Sequence, residues 1–158
     1  ERSAYIGALR SFSDTDEAGK YKGHRFGDEL DYRATMFYTD ERGIVSTTDS
    51  SNIRAGKHIG VRNASSHRPR VLYSVFDGNN SRQGWISNKT HVHKTGSLEP
   101  ANIRRLVLGR AQNHVGKNYS SHMTVYEVRI YTRALTMKQI KKKSAVMHGR
   151  YDFNKYGN

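Results

Sequence analysis

The segment Met123–Ile140, MTVYEVRIYTRALTMKQI, restricts the possible folds more than any other part of the chain. From Thr124 to Tyr131 its residues alternate in the manner of a strand. Thr124, Tyr126, Val128 and Ile130 share one face, and Val125, Glu127, Arg129 and Tyr131 share the other. The β-branched and aromatic content suits a pleated, half-buried surface. Thr132-Arg133-Ala134 ends the alternation. Thr136 and Gln139 then have the spacing of a capping box. The threonine hydroxyl would accept from the Gln139 backbone N–H, while the Gln139 side chain accepts from the Thr136 N–H. Leu135 before the cap and Ile140 after it can clasp as a hydrophobic staple. The spacing predicts a strand running directly into a helix from Met137 to about His148, stopped by Gly149 as a left-handed cap.

Elsewhere the pattern is one of short strands and frequent turns. Fourteen glycines against two prolines favour turns over long helices. A short apolar stretch covers Tyr5–Leu9, and alternation runs from Asp31 to Tyr38. Asp40–Gly43 reads as a turn, Ile44-Val45 as a short return strand, and Ser46–Asn52 as a loop. Ile59 and Val61 mark another short strand. Val71–Phe76 is the clearest central one, closed by Asp77-Gly78, and Gly84–Ser87 around Trp85 pairs back with it. His91–Lys94 and Ile103–Leu108 complete the set, and the tail from Arg150 lies across the domain. The expected fold class is all-β: an antiparallel two-sheet jelly-roll sandwich with a short C-terminal helix. A chain of 158 residues suits one domain. Residues 1–30 form a polar segment packed on the sandwich or linking to it, and residues 31–158 form the sandwich itself.

The terminal motif resembles the last strand and corner of laminin-G-like domains, within the concanavalin-A-like lectin/glucanase superfamily. Glu127, Arg129, Tyr131, Arg133, Ala134, Leu135 and Thr136 match the family pattern, with Gln139 where glutamate is usual. Arg70–Gly78 resembles the family strand that ends in an Asp-Gly turn, and Arg105–Gly109 the strand ending in glycine before the final pair. The resemblance spans roughly residues 55–142 and implies a non-catalytic recognition module. It also implies that calcium can sit at one rim on loop aspartates. Asp77 or Asp40 would serve there, but the family's acidic ligand set is not recognisable, and Asp77 is more simply the first residue of a turn.

Charge is the second strong signal. The net charge of +13 is uneven: residues 100–158 carry twelve Lys/Arg against two acids, and residues 1–41 carry nine of the fourteen acids. Such a field favours polyanionic partners: nucleic acid, sulfated or sialylated glycans, or an acidic surface. Lys141, Lys142 and Lys143 occupy nearly one helical turn and spread around the helix, where they would also complement its dipole. Arg68 and Arg70, in the loop that enters the central strand, are candidate phosphate or sulfate contacts. No zinc finger, RNA-recognition signature or Gly-x-x-Gly clamp supports sequence-specific nucleic-acid binding.

Catalytic and metal chemistry find little footing. No strand carries the alternating carboxylates that retaining glycan hydrolysis needs. Glu127 has Arg129 as its same-face neighbour, which predicts a structural ion pair. Asp14-x-Asp16-Glu17 opens like a calcium loop, but Ala18 and Arg25 stand where ligands would follow. His91-x-His93 offers two imidazoles on one side of a strand and would need a third ligand. There are no cysteines, hence no disulfides or thiolate sites. We therefore expect no enzyme, no catalytic residues, no metal site and no cofactor.

Two function classes emerge. In the first, the sandwich binds a glycan or a protein ligand, with a sugar stacked on Trp85 and charge supplied by Arg68, Arg70 and Lys141–Lys143. In the second, it is an assembly block of a virion, phage or large complex, its basic half facing nucleic acid or an acidic neighbour. No run of eighteen apolar residues offers a membrane span. A start at Glu1 without methionine suggests a processed product or a fragment. The compartment stays open, with an extracellular or virion-surface setting as the expectation.

Overall fold

The structure, a computed structural model, describes residues 3–11, 22–27, 34–39, 45–48, 58–61, 69–98, 105–108, 110–111, 119–120 and 123–153. Among these residues, twelve strands precede one helix. They are β1 (Ser3–Ser11), β2 (Lys22–Gly27), β3 (Ala34–Thr39), β4 (Val45–Thr48), β5 (His58–Val61), β6 (Arg70–Phe76), β7 (Gly78–Ile86), β8 (His91–Leu98), β9 (Arg105–Leu108), β10 (Arg110–Ala111), β11 (Tyr119–Ser120) and β12 (Met123–Tyr131); α1 spans Met137–Tyr151. One five-stranded sheet has the order β12-β1-β6-β7-β8 and the other β5-β4-β3-β2-β9, with β10-β11 as a separate pair. Every pairing between the described strands is antiparallel. The sheets meet where β5 lies against β7 and β8. A Cβ on Gly96 of β8 would come within 2.9 Å of Ile59 of β5, so the backbone of one sheet touches the side chains of the other.

Alternation along β6 gives the first sheet two apolar faces, as expected of a central strand. Val71, Tyr73 and Val75 join Ala4 and Ile6 of β1 in a cluster with Leu135, Ile140, Met147 and Phe153. The helix therefore covers the outside of this sheet. Leu72 pairs with Trp85, and Ser74 with Gln83, on the opposite face. That face is turned toward the second sheet, and all four of these residues are buried. The Asp77-Gly78 turn between β6 and β7 needs a left-handed residue, and Gly78 supplies it at φ 55°. Ser81 Oγ accepts from the Asp77 N–H at 2.9 Å and donates to the Gly78 carbonyl at 2.7 Å, which locks the turn.

The helix begins as its sequence predicts. Thr136 is the N-cap, its N–H donates to Gln139 Oε1 at 2.9 Å, and the Gln139 N–H donates to Thr136 Oγ1 at 3.3 Å. Leu135 and Ile140, the two ends of the expected staple, are fully buried. The far end differs. The helix continues through Gly149, and Asp152 takes the left-handed cap at φ 48°, its N–H donating to the His148 carbonyl. Side-chain contacts of Arg150, Tyr151 and Phe153 with β12 carry the helix past the glycine.

Other boundaries also shift. Within residues 1–30, expected to pack on the sandwich or lead into it, Ser3–Ser11 supply β1 to one sheet and Lys22–Gly27 supply β2 to the other. The expected Ser46–Asn52 loop begins inside β4, and β7 and β8 are longer than their apolar centres suggest. Among the described residues, no helix is long and apolar enough to cross a membrane.

The close approach at Gly84 of β7 yields a test. A Cβ there would strike the Tyr73 ring and come within 2.6 Å of the Val92 carbonyl. Tyr73 is fully buried and has no room to retreat. Gly84→Ala is expected to cost about 2 kcal/mol through overpacking, measured as a lower denaturant midpoint with an unchanged slope.

Candidate functional site

On the outer face of the first sheet, the β7–β8 turn and α1 enclose a cleft of about 410 Å³ lined by Ile86, Ser87, Asn88, Lys89, Thr90, His91, Lys141, Ser144, Ala145 and His148. Positions 141, 144, 145 and 148 have helical spacing and so form one stripe, beside the buried stripe of Ile140, Ser144 and Met147. The turn is closed on itself: the Ser87 N–H donates to the Thr90 carbonyl at 2.8 Å, and the Thr90 N–H donates to Ser87 Oγ at 3.2 Å. His148 ties the two walls together, with Nε2 3.2 Å from the Ile86 carbonyl. Since a carbonyl only accepts, Nε2 must carry the proton there. Burial holds this imidazole below the usual histidine range, although the Ile86 bond pulls the other way.

Beneath the cleft lies an aromatic stack. The Tyr73 hydroxyl is 2.7 Å from His91 Nε2, and the His91 and His93 rings stack with centroids 4.8 Å apart. Burial, then the neighbouring His93 and Lys141, lower the His91 pKa. Burial raises that of Tyr73. The phenol therefore stays protonated, and its hydroxyl shares a hydrogen bond with His91 Nε2 while lying 3.8 Å from Met137 Sδ. The His91-x-His93 pair is engaged in stacking, and among the described residues no group of three His, Cys, Asp or Glu converges as a metal site would require.

A second polar group sits where α1 meets β12. Ala8 pairs with Glu127 and Leu9 with Val125, so Tyr126 is an extra residue in β12. This bulge breaks the expected alternation and puts Tyr126 and Glu127 on the same, helix-covered face. Both then reach the end of α1. Tyr126 packs on Tyr151 and Phe153 at centroid separations of 5.5 and 5.1 Å. Glu127 Oε1 accepts from Arg129 Nε, and Oε2 accepts from Arg150 Nη1 and the Tyr151 hydroxyl, the latter two at 2.9 Å. Burial alone would raise the Glu127 carboxyl, but bonds from Arg129 and Tyr151 and the nearby guanidinium charges hold it below the usual range. The expected ion pair with Arg129 is present and is part of a larger brace.

The described residues among those proposed from sequence as ligand contacts lie apart from one another. Trp85 is only 4% exposed, and the Arg70 guanidinium lies over its ring at 4.1 Å. Trp85 is therefore corrected from sugar platform to core residue, because its position opposite Leu72 turns it inward. Arg70 covers the indole from the strand's entry and does not line the cleft. Arg68, Asp40 and the Asp14–Glu17 cluster lie outside the described residues. The three lysines point apart. Lys141 lines the cleft, Lys142 is exposed, and Lys143 Nζ lies 4.6 Å from the Tyr131 ring centroid. Sequence reasoning missed Ser144 and His148. Their one-turn spacing beside Lys141 was the available signal, but the opposing wall is more than fifty residues away.

Two facing antiparallel sheets with a helix on the outer face define a β-sandwich. Solved structures with this architecture superpose on most of the chain. The CBM40 carbohydrate-binding module of the Ruminococcus gnavus IT-sialidase, bound to α2,3-sialyllactose, matches with TM-score 0.67 and 11% identity over 91% of this chain and 83% of its own. A SAP-like pentraxin from Limulus polyphemus gives 0.58 and 14% over 90% and 69%, and the binding domain of botulinum neurotoxin serotype D/C gives 0.58 and 10% over 93% and 37%. At these identities the likeness is one of fold. No protein-family model matches the sequence, and no curated protein sequence matches it.

The titrating groups supply two tests. Glu127→Gln removes the charge that three partners share and is expected to cost about 2 kcal/mol at neutral pH. A lowered carboxyl pKa stabilises the fold above the ordinary carboxylate range, and this contribution is lost as pH falls through the folded value. The variant's acid unfolding limb should be correspondingly shallower in melts across the acid range. For His148 the depressed pKa has the same sign. Its contribution is complete above the ordinary histidine range and declines as pH falls toward the folded value, because the unfolded chain takes up the proton first. His148→Gln should flatten the fall in melting temperature between neutral and mildly acidic pH.

Proposed function

We infer that the chain is a non-catalytic recognition module that binds a glycan, and that its sandwich is kin to the laminin-G-like group. One observation carries the glycan-binding reading: superposition over 91% of the chain on a carbohydrate-binding module solved with sialyllactose. A second likeness, to the same module with α2,6-sialyllactose at TM-score 0.62, agrees. The chemistry of the strands points the same way. Glu127 is braced by two arginines and a tyrosine, so its carboxylate is not poised to protonate a leaving group or attack a sugar. The basic surplus of the C-terminal portion favours an acidic glycan.

The deciding experiment is a glycan array probed with the intact chain at low and high salt, then titration calorimetry on the best ligand. An acidic glycan should bind with an affinity that falls as salt screens the lysines. Trp85→Ala should lower stability without changing which glycan is preferred, since the indole is in the core. A chain that binds no glycan and instead leaves its source in a stable complex would replace this reading with the assembly role.

A further inference from the structure

We propose that the cleft between the β7–β8 turn and α1 is the sugar site, and that it takes a hydroxylated ring bearing one acidic group. The hydroxyls would bond to Ser144 and His148, and the acidic group would face Lys141 and Lys89. This rests on the glycan-binding reading above and adds the place and the ligand chemistry.

Two buried polar atoms carry the argument. Ser144 is 1% exposed and lines the cleft, yet its Oγ has no hydrogen-bond partner. His148 Nδ1 is likewise buried and unpartnered. Because Nε2 is the protonated nitrogen at the Ile86 carbonyl, Nδ1 presents a lone pair and acts as an acceptor. Ser144 and His148 both line the cleft one helical turn apart, which sets an acceptor and a group that both donates and accepts on the same stripe of α1. Buried groups of this kind are nearly always satisfied, and a ligand hydroxyl, itself donor and acceptor, complements the pair. Ile86 and Ala145 supply an apolar surface for the C–H face of a ring, and about 410 Å³ lies within the range of small-ligand pockets.

Charge supplies the second half. Lys89 stands on the turn and Lys141 on the helix, on opposite walls, and among the described residues no acid lines the cleft. Lys141 is close enough to His91 to depress its pKa, which agrees with a field directed into this space. Neither lysine takes part in an ion pair among the described residues. A carboxylate or a sulfate ester would meet this requirement, while a neutral sugar would use only the Ser144–His148 pair.

The test is an amide NMR titration of the intact chain with glucuronic acid, glucose 6-sulfate, 3′-sialyllactose and lactose, repeated on three variants. The acidic probes should shift amides of residues 86–91 and 141–148, and lactose should bind at least about tenfold more weakly, the size of one charge-assisted hydrogen bond. The glucuronate and sulfate arms separate the two acid sources. Ala145→Trp, at an exposed position, should fill the cleft and abolish the shifts. Lys141→Gln should weaken acidic probes and leave lactose unchanged. Ser144→Ala should weaken all of them yet melt no lower than the parent chain, because the hydroxyl makes no bond in the free protein; a merely structural serine would do the opposite. Binding of an acidic glycan that shifts other residues and survives Ala145→Trp would overturn the cleft while leaving the glycan-binding role intact. Equal binding of lactose and the acidic probes would overturn the acid contact. Silence on both the array and the NMR titration would remove both.

Discussion

The docking of the helix on the outer face of the first sheet is the contact on which the rest of the architecture depends. Its stripe of Ile140 and Met147, with Leu135 before it and Phe153 after it, packs on Val71, Tyr73 and Val75 of β6 and on Ala4 and Ile6 of β1. A central strand is thereby buried on both sides without a third sheet. The small side chain of Ala4 and the bare backbone at Gly84 allow this close packing, because bulkier residues would lift the helix or displace Tyr73. The same docking sets the neighbouring stripe of α1 against the β7–β8 turn and so creates the cleft. At its far end the helix is held by the Glu127 brace, which fixes where the chain stops being helical.

The elements legible in the sequence are those whose cause is local. Thr136 and Gln139 satisfy the helix start among themselves, and Val71–Phe76 is apolar enough to be a strand anywhere. Elements decided by distant partners were not legible. β1 looks like a polar leader with a short apolar stretch, and it is a strand because β6 and β12 bracket it from about sixty residues away or more. β2 pairs with the nearby β3 and, on its other side, with the distant β9. Gly149 has the signature of a helix stop, but contacts of Tyr151 and Phe153 with Tyr126 override it.

The candidate site shows the same division more sharply. Exposed aromatic and cationic residues are the natural choices from sequence alone, but which face they occupy depends on register. Trp85 faces inward because it is paired with Leu72, and Arg70 lies over it as a cover. Of the proposed contacts among the described residues, Lys141 alone reaches the cleft. Ser144 and His148 gain significance only once the helix is docked and their polar atoms are buried without partners. A serine and a histidine four apart in a helical segment carry no such meaning on their own.

The bulge at Tyr126 has an effect beyond aiming two side chains at the helix. Among the described residues β12 is the outermost ribbon of its sheet, and its outer margin is kinked at the bulge, on a strand that carries the charges of Glu127 and Arg129. Such a margin is a poor template for backbone addition by a second chain. Many copies crowded along one repetitive surface would thus be kept from fusing their sheets into fibres on that side, and any avidity would arise from separate folded units.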